Sequence, residues 1–118
     1  MNSTIKSFIR FELCTYHTNK ANLNNPDYSR LVSQRHLTWL NLIVRGIENA
    51  MESLPDDVRQ YMELRYLGKN YYNNAGLALK LNVSERTAAY WDCLVLETVA
   101  KHIGIFNFNY KIAETLQF

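Results

Sequence analysis

Ser84, Glu85, Arg86 and Thr87 put four hydrogen-bonding side chains at the start of one helix-forming stretch, with Ala89 and Tyr90 just beyond. A guanidinium such as that of Arg86 can bind guanine O6 and N7 bidentately, and a methyl on Ala89 or Thr87 can pack on the thymine methyl. Glu85 has two uses. It can accept from cytosine N4, or it can simply favour the positive end of the helix dipole. Tyr90 can donate to a phosphate, or stand as a surface aromatic or dimer contact. Ser84 is first a helix cap, whose neighbouring backbone amides also suit a phosphate. Lys69 and Lys80 precede the stretch, where a nucleic-acid backbone would run, and would add affinity blind to sequence.

Other chemistry finds little support. His17, His36 and His102 fall in three different segments. Cys14 and Cys93 lie far apart, form no metal-binding pair, and read as free thiols in a reducing compartment. There is no Gly-rich phosphate loop, nucleophile elbow or paired-carboxylate pattern. The expectation is a protein that is not an enzyme, with no cofactor and no metal.

The elements that position these residues must fit into 118 residues, one domain's worth with room for a small second module. Apolar residues at 47% and charged residues at 20% are globular values and exclude intrinsic disorder. A net charge of +2 is too mild to announce a nucleic-acid or membrane partner by itself. No run is long and apolar enough for a membrane span, and MNSTIKSFIR lacks a signal core. Location in the cytoplasm, with no membrane partner, is the expectation.

The apolar spacing predicts an all-α protein. Ile5, Phe8, Ile9, Leu13 and Tyr16 mark a first helix over 3–19, capped by Ser3 or Thr4. The Asn-rich stretch to Pro26 reads as a loop. Asp27 or Ser29 opens a long second helix to Leu54, with Leu40, Ile43, Val44, Ile47, Met51 and Leu54 in one seam. Pro55, Asp56 and Asp57 begin a third helix that Gly68 ends. A short helix then covers 74–81. Asn82 follows, tolerant of left-handed backbone, then Val83 dipping inward, and Ser84 capping a helix that runs to Ile103 and stops at Gly104. Short helix, left-handed residue, buried Val, Ser cap and longer helix are the order of a helix-turn-helix. A helical hairpin with no DNA role has the same order. Small Ala78 allows a close crossing, with Leu77, Leu81, Val83, Ala88, Trp91 and Val95 inward and Trp91 against Ala78.

Residues 54–67, Leu-Pro-Asp-Asp-Val-Arg-Gln-Tyr-Met-Glu-Leu-Arg-Tyr-Leu, resemble the opening of region 4 of bacterial sigma-70-type factors. Gly76-x-Ala78, Leu81-Asn82-x-Ser84, Arg86-Thr87-Ala88 and Trp91 resemble the helix-turn-helix of that region. Within the superfamily the chain is most similar to the small phage late-gene transcriptional activators of the RinA/ArpU/LtrC kind. The match covers about 50 residues, and the first 52 match in style only. The resemblance implies an N-terminal helical part for dimerisation or regulation (1–53), a sigma-region-4-like domain (54–104), and a C-terminal tail (105–118). It implies binding to double-stranded promoter DNA, activation of late packaging and lysis genes, and RNA polymerase as a partner. The alternative is a protein-interaction module of the same fold that binds polymerase or another regulator and not DNA.

The charges depart from the family pattern. Arg59, Arg65, Lys69, Lys80, Arg86 and Lys101 are matched by Asp56, Asp57, Glu63, Glu85, Asp92 and Glu97, so 55–104 is neutral. The phosphate contribution to affinity is then weak. Leu94, the seam on the second helix, and Phe106 and Phe108 together exceed what one small core should bury, so a homodimer is expected. The tail alternates as Phe106, Phe108, Tyr110 and Ile112 with Asn107, Asn109 and Lys111 between, a strand period. Such a segment pairs with its copy, drapes as an arm over the N-terminal helices, or stays extended and frayed.

Overall fold

The computed structural model describes residues 2–104. The expected C-terminal strand or arm falls outside them. Among the described residues the fold is all-helical: α1 (Ser3–Cys14), α2 (Tyr16–Leu23), α3 (Pro26–Leu31), α4 (Gln34–Ser53), α5 (Asp56–Met62), a π-helical turn (Glu63–Leu67), α6 (Asn74–Leu81) and α7 (Glu85–Ile103).

The N-terminal third corrects the sequence-based boundaries. Asn2 caps α1 by accepting from the Ile5 amide (2.8 Å), in place of Ser3 or Thr4. The first helix breaks at Thr15, whose hydroxyl donates back to the carbonyls of Phe11 (2.9 Å) and Glu12 (3.3 Å). Such back-bonding bends helices. The Asn-rich stretch then continues as α2, where a loop was expected. The long second helix is two helices. Asn25 caps α3 with Pro26 in its first turn, Val32 is extended, and Ser33 caps α4 by accepting from His36 (3.1 Å).

α7 is the axis of the core. Its largest contact is with α4, and α5, α6 and α1 pack around it. Ile9 and Leu13 of α1, Ile43 and Ile47 of α4, and Val95, Leu96 and Val99 of α7 are at most 1% exposed and form one cluster with Tyr61, Met62 and Leu77. This corrects the apolar-surplus argument. The seam Leu40, Ile43 and Ile47 is buried inside one chain, and Leu94 and Met51 are half-buried against the same core. Helices α1 and α2 help supply the covering, through Ile9, Leu13 and Tyr16.

Arg59 closes the α4–α5 corner. Its guanidinium donates to the Met51 carbonyl (2.8 Å), which also accepts from the Leu54 amide (3.4 Å), and to the Leu54 carbonyl (3.2 Å), at the end of α4 where intrahelical donors run out.

Gly46 of α4 lies directly against Ile103, the last residue of α7. A Cβ there would lie 2.0 Å from Ile103 Cγ2 and 3.3 Å from the Ile103 Cα. Ile is stiff at χ1 in a helix, so relief requires the helices to part. Gly46→Ala should therefore lower stability by about 1–2 kcal/mol, overpacking outweighing the gain in helix propensity. Denaturant titration should show the loss vanish in the Ile103→Ala background. Equal losses in both backgrounds would mean that the crossing lies elsewhere.

Candidate nucleic-acid interface

The turn between α6 and α7 is set by one left-handed residue. Asn82 has φ 57° and ψ 48°, the only positive φ outside glycine among the described residues. The reversal lets the Val83 amide donate to the Ala78 carbonyl (2.9 Å) and the Asn82 amide to the Leu79 carbonyl (3.3 Å), closing the helix end. Val83 turns half inward. Ser84 is extended and its Oγ accepts from the Thr87 amide (3.0 Å). A polar brace then joins three elements: Tyr61 of α5 donates to Asn74 Oδ1 (3.0 Å), and Asn74 Nδ2 donates to the Glu85 carbonyl (3.0 Å). The start of α7 is thereby tied to the start of α6. Nothing in the sequence pattern alone singled out Asn74.

Of the candidate residues, Ser84, Glu85, Arg86, Ala89 and Tyr90 are exposed together on the N-terminal end of α7, and Thr87 is half-buried beneath Ser84, bonded to its hydroxyl. Arg86, Tyr90, Cys93, Glu97 and Lys101, three or four residues apart, form one outward stripe, every member of it exposed. The Arg86 guanidinium has no hydrogen bond or ion pair among the described residues. Lys80 is exposed in the last turn of α6, its ammonium 5.6 Å from the Tyr72 ring centroid. Lys69 is exposed in the segment between the π-helical turn and α6. Tyr71, Leu79 and Tyr90 add exposed apolar surface to the same half of the chain.

Trp91, expected inward against Ala78, is half-buried at the rim of the core and stands edge-on to Tyr61 (centroids 6.4 Å). Asp92, counted among the acids of the recognition helix, is 6% exposed and does not face outward. Its carboxylate accepts from Arg10 Nη2 of α1 (2.9 Å) and from the Tyr66 hydroxyl, with Arg65 Nη1 3.4 Å away. Arg65 also donates to the Tyr61 hydroxyl, extending the network to the brace around Asn74. Burial, reinforced by the hydrogen bond to the Asp92 carboxylate, pushes the Tyr66 phenol far up, so it stays a donor. The π-helical turn carries both Arg65 and Tyr66 to this site. A π turn advances less per residue than an α turn and shifts the phase of the side chains that follow.

The remaining titratable groups are dispersed. His17 meets the Leu67 carbonyl (2.8 Å), His36 the Tyr28 hydroxyl (2.8 Å) and His102 the Thr98 carbonyl (2.9 Å), at three separate places. Cys14 and Cys93 are free and exposed on different helices. No family model, curated protein or solved structure matches the chain.

Asp92→Asn should cost roughly 2–3 kcal/mol, below the full penalty for breaking a buried pair because Arg10 keeps contact with water. Chemical denaturation measures it, and an unchanged midpoint would remove the network from the stability of the fold. Glu12 offers a test of opposite sign. It is buried, and burial pushes its carboxyl above the ordinary value. A raised carboxyl favours the folded state while protonated, and that contribution is lost as pH rises through the raised value. Glu12→Gln should melt above the parent at neutral pH, with the gain shrinking as pH falls through the carboxylate range. A lower melting temperature at neutral pH would show that the carboxylate is favourably held.

Proposed function

We propose that the chain is a DNA-binding transcriptional regulator, an activator of phage late packaging and lysis genes, and that the N-terminal end of α7 reads promoter DNA as a sigma-region-4-like helix-turn-helix. The observation that carries this reading is the Arg86 guanidinium, without a partner among the described residues, on the exposed stripe, held at a Ser84-capped helix start behind the left-handed Asn82 turn. A recognition helix presents its first turns to base edges in the major groove. Arg86 supplies bidentate readout of guanine, Ala89 a methyl contact, and Ser84 and Tyr90 contacts to phosphate. Lys69 and Lys80 supply backbone contacts. The burial of Asp92 supports the proposal further, because its charge is answered by Arg10 and Arg65 and is withdrawn from the exposed surface of α7. Two copies on adjacent half-sites would double the small number of basic contacts.

A second reading has its own observation. Leu79 is 84% and Tyr71 88% exposed, and Glu85 stands on the same helix start as Arg86. Apolar and acidic surface of this kind suits a protein partner such as RNA polymerase. The two readings differ in salt dependence. Fluorescence anisotropy with DNA from upstream of the neighbouring late genes should show affinity falling steeply with salt. Arg86→Ala should lower specific binding by about 1–3 kcal/mol and relax the sequence preference, whereas Lys69→Ala and Lys80→Ala should weaken all sequences alike and flatten the salt slope. Undiminished binding by Arg86→Ala would misplace the reading residue. Absence of DNA binding together with capture of polymerase would favour the second reading.

A further inference from the structure

Trp39 and Leu42 of α4 are 41% and 47% exposed, and Phe8 of α1 packs on the Trp39 ring (centroids 6.1 Å). Together they make an aromatic surface that no described element covers. Its place is informative. Trp39, Leu42 and Gly46 are spaced three and four apart and lie on one face of α4. Gly46 is the residue on which Ile103 sits, and Gly104 ends α7 in a left-handed cap (φ 80°) immediately after. The chain therefore leaves α7 on the same face of α4 that carries the uncovered aromatics. In the other direction along that face stand Asn49 and Ser53, both exposed and polar.

Fourteen residues follow Gly104. Phe106 is two residues past it and Phe108 four, within about 7 Å and about 13 Å of extended chain. Leu42 and Trp39 lie about 6 Å and about 10 Å from Gly46 along the α4 axis. The spacing of the tail's apolar residues thus fits the spacing of the exposed side chains. An extended segment of strict alternation presents Phe106, Phe108, Tyr110 and Ile112 to one side and Asn107, Asn109 and Lys111 to the other.

We propose that residues 105–118 form an intramolecular arm that seats Phe106 and Phe108 on the Phe8–Trp39–Leu42 surface of the same chain. The arm turns back from Gly104 toward the N-terminal end of α4, the apolar direction, and Trp39 is its central contact. The parity of the alternation selects which tail residues touch and which face water.

In the full-length chain with Trp91→Phe, Trp39 is the sole indole. Phe106→Ser with Phe108→Ser should shift its emission to the red and raise acrylamide quenching several-fold, with the helical circular dichroism unchanged. Asn107→Ser with Asn109→Ser, on the opposite parity, should change neither. Equal effects from both pairs, or none from either, would overturn the proposal. A benzophenone amino acid at position 108 of the otherwise unaltered chain gives a readout that does not depend on the Trp91 substitution. Crosslinking to the Phe8 or Trp39 peptide within a monomer-sized species is expected. The same crosslink only in a dimer-sized species would mean that a second copy receives the tail, and absence of crosslinks to either peptide would mean that the surface has another occupant; both overturn the intramolecular arm.

Discussion

The carboxylate of Asp92 fixes the rotation of α7, and the outward stripe follows from that rotation. Asp92 stands on the helix face roughly opposite Leu94 and receives donors from two other elements, Arg10 of α1 and Tyr66 of the π-helical turn, with Arg65 alongside. A turn of α7 by one residue, about 100°, would carry this charge away from its cations and leave them half-buried and unpaired. Buried ion pairs contribute little net stability, but they penalise wrong arrangements heavily. Here the penalised arrangements are those that present a different stripe from Arg86, Tyr90, Cys93 and Glu97. Tyr61 and Asn74 extend the constraint, through Arg65, to the first residue of α7.

The apolar side of the helix carries a matching constraint. Val95, Leu96, Val99 and Ile103 are all buried, and α4 meets Ile103 at a crossing that only glycine permits at position 46. Charge and shape thus converge on one placement of α7, polar contacts on the α1 side and close helix contact on the α4 side.

Much of this was legible because the signals are local. The Ser84 cap, the left-handed Asn82, the inward Val83 and the Gly104 stop each depend on a residue type within a turn or two of its effect, and the outward stripe followed from helical spacing alone. The caps at Asn25 and Ser33 are equally local, yet a continuous apolar period across them suggested one helix, because a period cannot register a single extended residue such as Val32. Asp92 was not legible. An acid at that position reads as a surface charge until its partners are known, and those partners lie 82 and 26 residues away in the sequence. The phase shift at the π-helical turn, which aims Tyr66 and Arg65 at it, likewise has no separate sign in the residues 63–67. The apolar surplus misled because an apolar stripe on one helix does not say which other helix covers it, and Ile9, Leu13 and Tyr16 of α1 and α2 join the cluster that the α4 seam enters.

Residues 54–104 therefore do not account for their own positioning. The far end of α7 rests on α4 at Gly46, and the charge of Asp92 is answered from α1 as well as from the π-helical turn. A chain begun at residue 54 would keep the Asn82 turn and the Ser84 cap, since both are closed by neighbours in sequence. It would expose Val99 and Ile103 where α4 now lies, and it would leave Asp92 with Arg65 and Tyr66 but without Arg10. The local geometry at the start of α7 and the orientation of that helix within the protein thus have separate origins. The turn residues make the first, and the N-terminal helices complete the second.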